Sequence, residues 1–306
     1  MMSTLRGRPR AHPGPAPDGL VERLDAELRA RAAREVARAR AAHDQAQAAA
    51  AAKAARAELH YQSLGMDVGG IAAFHRILAN EDAAARMALR QSTALPVRPR
   101  EGMGLADDRD WIPGSDQHRC PYGITLHSAH AVRRAASARG SGNGWFGSGA
   151  QQAWETELWH FAWTPPETGW YTFRPVVAFR GTYIVQAADD FWTSKRAAVA
   201  VRFAMHHWQG TWKRDGRPDG GGTAWTRGGA NLGECEGMDW EHVPRGDGIH
   251  PVPFAAGEPA LVSVQLTLHA AARGEGSFAE ISAAGDGGYL ACRSLLGTYT
   301  GPPPLA

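Results

Sequence analysis

From Val21 onward apolar and small residues recur every three or four positions: Val21, Leu24, Leu28, Ala32, Val36, Ala39, His43, Ala46, Ala50, Ala54, Ala57 and Tyr61. This period predicts one long Ala/Arg-rich helix, with Asp18 as its N-cap and Gly65 as its C-terminal stop. At 1.5 Å per residue it is about 65 Å long. Opposite charges four apart, Asp25 with Arg29 and Glu27 with Arg31, are expected on its exposed faces. Beyond Val36 the stripe is almost all alanine, which offers little apolar area and calls for a partner. A strict heptad fails, because the register of Val21, Leu24 and Leu28 runs on into Arg31 and Glu35. Val21, Leu24, Leu28 and Val36 are therefore the candidate oligomer interface in a loose helical assembly. A second helical segment follows over 70–90, carrying Ile71, Phe74, Leu78, Met87 and Leu89.

Past residue 110 the period changes to two. Trp159, Phe161 and Trp163 share one face, then Tyr171, Phe173, Val177 and Phe179, with Gly181 expected to open a turn. Ala197, Val199, Val201, Phe203, Met205 and His207 alternate with a second set, as do Val262, Val264, Leu266 and Leu268. Alternating strands without intervening helices predict an antiparallel β-sandwich of jelly-roll-like form, so the fold class is α+β. The organisation read from the chain is a flexible basic arm over 1–17, a helical oligomerisation domain over 18–92, a linker over 93–110 and a β-sandwich domain over 111–306. Within the last, 210–260 is rich in Trp and Gly and reads as an elaborated loop region over one end of the sandwich.

Composition sharpens this division. The 306 residues are 43% hydrophobic and 21% charged with a net charge of +2, as in ordinary globular chains. All 11 Trp fall between Trp111 and Trp240, and 30 of 33 basic residues are Arg. Residues 1–100 hold 16 basic against 10 acidic residues and the remainder 17 against 21, which is not the field of a dedicated nucleic-acid binder. Cys120, Cys235 and Cys292 show no Cys-x-x-Cys spacing and an odd count, fitting a reducing compartment. No secretory signal and no membrane span are read, so the expectation is synthesis in the cytoplasm, with a particle released or displayed outside the cell as a further possibility.

Three constellations could carry chemistry. Trp208, Trp212, Trp225 and Trp240, interleaved with Asp215 and Asp219, suit a glycan site, since indole faces stack on sugar rings while carboxylates take the hydroxyls. Glu234, Glu236, Asp239, Glu241, His242, Asp247 and His250 form an acidic run without the spacing of a known metal motif, so a solvated loop is expected and no metal or cofactor is assigned. Glu155 and Glu157 share a strand face, as the carboxylates of a retaining glycosidase do. His206 and His207 point to opposite faces, and His207 sits in the apolar register as a core histidine. No nucleophile elbow, phosphate loop or dinucleotide fingerprint is present. The leading expectation is a non-enzymatic structural or assembly protein, forming a homo-oligomer through its helices. A carbohydrate-binding module on a helical stalk is the alternative, and a glycoside hydrolase using Glu155 and Glu157 a third.

Overall fold

A computed structural model describes residues 19–71, 73–74, 77, 124–142, 148–187, 195–215, 217–244, 249–274 and 276–302. The basic arm expected over 1–17, the second helix beyond residue 77 and the linker over 93–110 lie outside the described residues. One long helix, α1 (Leu20–Ser63), precedes the strands. The first of these are β1 (Ile124–His127), β2 (Ala131–Val132), β3 (Ala135–Arg139), β4 (Ser141–Gly142), β5 (Ser148–Trp163), β6 (Gly169–Ala187) and β7 (Arg196–Gln209). They continue as β8 (Thr211–Trp212), β9 (Gly220–Gly229), β10 (Leu232–His242), β11 (Val252–Phe254), β12 (Ala260–Arg273), β13 (Phe278–Ser282) and β14 (Tyr289–Gly301).

The helix begins at Gly19, which is left-handed at φ 71°; Asp18, expected as its N-cap, lies outside the described residues. It ends at Leu64 and Gly65, the latter at φ 78°, where the Gly65 N–H donates to Gln62 O at 3.0 Å. Asp67 then caps a new helical turn, accepting from Gly70 N–H at 2.9 Å.

The strands form two antiparallel sheets packed face to face, an α+β architecture with a β-sandwich after the helix. In one, β6 is central. On one side it pairs with β13 and β14 in sequence, and on the other with β10 and β11. In the other sheet the order is β4-β5-β12-β7, closed by β8 and β9. Gly181 opens no turn: β6 runs straight through it, because a Cβ there would lie 2.1 Å from Ser282 O in the neighbouring strand. The glycine serves close approach of two backbones, not reversal of the chain.

The region over 210–260 is likewise not a loop. It supplies β8 to β11, with β9 on the edge of one sheet and β10 on the edge of the other. Glycine hides the period in β9, where a Cβ on Gly228 would meet Ala198 Cβ at 2.5 Å. On β10 acidic residues fall on both faces, so alternation is not visible in polarity; charge along an edge strand also guards it against pairing with another chain.

Odd-numbered residues of β7 from Ala197 to Met205 and even-numbered residues of β12 from Val262 to Ala272 point between the sheets and are buried. Trp163 anchors this core, meeting Tyr171, Phe173 and Phe254 edge-on with ring centres at 5.0, 5.3 and 5.3 Å, the arrangement that aromatic quadrupoles favour.

Candidate functional site

The helix lies on the outer face of the second sheet, along β5. Contacts at Asp25 with His160, Arg29 with Glu157 and Gln47 with Ala150 O show the two elements running antiparallel. From Asp25 to Gln47 the helix rises about 33 Å, and from His160 to Ala150 the strand covers about 33 Å. The matching lengths keep helix and strand in step. Beyond Gln47 the remaining 16 helical residues, about 24 Å of helix, carry on past the start of β5.

The anchoring end buries an apolar plug. Leu20 and Leu24 pack with Leu261, bordered by Val21, Ala162, Trp208 and Trp212, and Leu28 is also buried. Of the four residues assigned to an oligomer interface, Leu24 and Leu28 are thus buried within their own chain, Val21 borders the same plug, and Val36 is partly buried. Their apolar character is accounted for without a second subunit.

Beside the plug runs a polar row. The expected pairs both form, Asp25 with Arg29 at 2.6 Å and Glu27 with Arg31 at 3.6 Å, and the same carboxylates also reach the sandwich. His160 Nε2–H donates to Asp25 Oδ1 at 2.8 Å, which in the neutral ring leaves Nδ1 to accept from the Ser263 hydroxyl at 2.8 Å. Trp212 Nε1–H donates to Glu27 Oε1 at 3.0 Å, and Arg31 Nη1–H to Asp215 O at 2.7 Å. The buried carboxylate of Glu157 is held from both sides, by Arg29 at 2.5 Å on Oε1 and by Arg134 at 2.6 Å on Oε2. Burial pushes the Glu157 carboxyl up, but the Arg29 hydrogen bond, the Leu158 N–H and Arg134 outweigh it and hold it below the usual range. Asp25 behaves alike: desolvation raises it, and the hydrogen bonds from Arg29 and His160 bring it lower than an ordinary aspartate.

The glycosidase pair is not assembled. Glu155 is exposed while Glu157 is buried with both oxygens engaged by guanidinium groups, so the two are not a matched acid and nucleophile. The four tryptophans assigned to a glycan do not converge either. Trp208 and Trp212 are cross-strand partners at the helix seam on the outer face. Trp225 and Trp240 pack on the core between the sheets, Trp225 against Tyr183 at 5.1 Å and Trp240 against Phe179 at 5.9 Å and His242 at 4.6 Å. Asp215 is exposed at φ 49°, contributing its carbonyl to Arg31. Asp219 is buried and accepts from the N–H of His207 at 2.9 Å and its Nδ1 at 3.1 Å, giving the core histidine a partner that sequence spacing had not paired with it.

Of the acidic run, Glu234, Glu236, Asp239, Glu241 and His242 are distributed along β10, His250 follows it, and Asp247 lies outside the described residues. Glu234 accepts from Arg227 Nε at 2.6 Å and from Tyr183 at 3.2 Å, while His242 Nε2 donates to Ala224 O at 2.8 Å. Among the described residues no three His, Cys, Asp or Glu side chains come together as metal ligands. The residue groups missed by sequence reading are those joining helix to sheet: His160, Ser263 and Arg134 stand in no motif, and only the fold brings them to Asp25 and Glu157.

No protein family model matches this sequence and no curated protein matches it. Among solved structures, a tumour necrosis factor named Eiger from S. frugiperda is similar over 57% of this chain and 98% of its own length, at 10% identity and a TM-score of 0.15. The sandwich assignment rests on the strand pairing itself. Among the described residues no helix is long and apolar enough to cross a membrane.

Proposed function

We propose that this is a non-enzymatic structural protein that assembles through its helical region, the β-sandwich being a subunit or a displayed element of a larger particle. One observation carries the reading: α1 is anchored to the sandwich at its first turns and projects beyond it, while Leu59, Leu64, Phe74 and Ile77 beyond the anchor are all more than half exposed. Exposed apolar residues on the projecting end of a helix and on the turns that follow it are typical of surfaces that other subunits cover. The partner is a further copy of the chain.

Light scattering on the full-length chain over a wide concentration range tests this. A mass that rises to a fixed multiple of 32.8 kDa, and falls when Leu59→Asp and Phe74→Asp are combined, is expected. A single monomeric mass at every concentration overturns the proposal.

A further inference from the structure

We infer that α1 docks on the β5 face of a second copy of the chain, in exchange with that copy's own helix; this rests on the assembly reading above and names its partner and contact. The sandwich is closed without the helix, because the main core cluster between the sheets contains no residue of α1 and the seam plug is a separate cluster on the outer face. A helix that leaves therefore opens no cavity between the sheets.

The seam is complementary residue by residue. Leu20 and Leu24 fit against Leu261, Arg29 meets the buried Glu157, and Asp25 meets His160. The same contacts are available, chemically identical, to the α1 of any other copy, which is the condition for exchange of an element between protomers. The chain length between them is ample: 60 residues, 64–123, separate α1 from β1.

Exchange also gives the overhang a neighbour. Docked on its own sheet, α1 leaves Leu59 and Leu64 in solvent. A chain held at two seams brings a second overhang into the same assembly, and alanines such as Ala48, Ala51, Ala52 and Ala55 let helix backbones come close.

Gln47 and Ala150 touch across the seam, so cysteines there report which copy supplies the helix. Two full-length populations are made, one with Gln47→Cys and one with Ala150→Cys, both with Cys120→Ser and Cys235→Ser. Cys292 is retained, since it is fully buried and its thiol is raised far above the ordinary range by desolvation. They are mixed at high concentration, equilibrated and treated with a short bismaleimide, and a chain carrying both new cysteines reports docking within one molecule. A covalent dimer holding one chain of each kind is expected, with a yield that rises with concentration. If only the doubly substituted chain links, internally, while light scattering still shows assembly, the exchange is overturned and the assembly reading stands. A monomer throughout overturns both. A retained thermal transition of the sandwich in each variant confirms that the chains compared are folded.

Discussion

Arg29 on the helix and Glu157 on β5, 128 positions apart in sequence, meet at 2.5 Å over a carboxylate that is nearly excluded from solvent. Because Arg134 holds the other oxygen, loss of Arg29 does not orphan the charge. The Arg29 side chain is 47% exposed, so the pair is screened and contributes about 1 kcal/mol. Arg29→Ala is expected to raise hydrogen exchange in the first turns of α1 several-fold and leave the sandwich's protection unchanged. Equal loss of protection in β12 and α1 would refute this.

The apolar plug and the core between the sheets are separate clusters, so truncations in each act on different units. Leu24→Ala is expected to free the helix, and Leu266→Ala to lower the global transition, each by roughly 2–5 kcal/mol. Hydrogen exchange combined with thermal melting distinguishes them. A Leu24→Ala variant that melts as far below the parent as Leu266→Ala contradicts the division.

Acid acts on the seam through Asp25 and Glu157. Both carboxyls are lower in the folded state than their ordinary values of 3.8 and 4.5. Their contribution is complete above those values and disappears as pH falls through the lowered ones, because the state with helix and strand apart binds the extra protons. Trp208 and Trp212 sit at the seam, and their fluorescence should change below about pH 4. An Asp25→Asn, Glu157→Gln chain should lose most of this acid step.

His269 acts in a higher window. Burial and the nearby Arg202 bring it from 6.5 down to about 4, while it stacks on Trp154 at 5.5 Å and meets Gln152 at 3.2 Å. The unfolded chain takes up the proton first, so sandwich stability declines as pH falls from about 6.5 to about 4. His269→Gln should flatten the melting temperature across that interval, and an unchanged slope would count against the assignment.

Gly181→Ala places a methyl group 2.1 Å from Ser282 O. Strands β6 and β13 must separate to admit it, at a cost of about 1–3 kcal/mol. A drop in the thermal midpoint is expected, whereas Gly237→Ala, with open space around its Cβ position, should melt much closer to the parent.

The periodicities revealed the architecture because they reflect burial on one face. Helix period through Val36 and strand period through β7 and β12 follow directly from which residues the core needs. The pattern found the inner alternation of β5 and β12 but missed the helix seat on their outer faces, and it failed where neither face is strongly apolar. Leu158 and Leu261 are buried under the helix on the outer face, so β5 and β12 carry apolar residues on both sides. β9 and β10 are edge strands whose glycines and acids blur alternation, which is why 210–260 resembles a loop. Glu157 was visible as a carboxylate on a strand, but its arginine partners come from a helix and from the turn before β3, and no spacing rule connects such distant segments. The tryptophans looked like one surface because they are close in sequence; the sandwich sends Trp225 inward and Trp212 outward, which spacing across several turns cannot foretell.

The register of α1 on β5 has a mechanical side. With the helix pinned between Leu20 and Gln47, its last 16 residues form a rigid lever of about 24 Å. A tilt of about 10° about the Gln47 contact sweeps the tip by roughly 4 Å, close to the width of a side chain. Small adjustments at the seam, such as a change in the Arg29 and Glu157 grip, would be magnified at Leu59 and Leu64, the exposed apolar residues at the end of the lever.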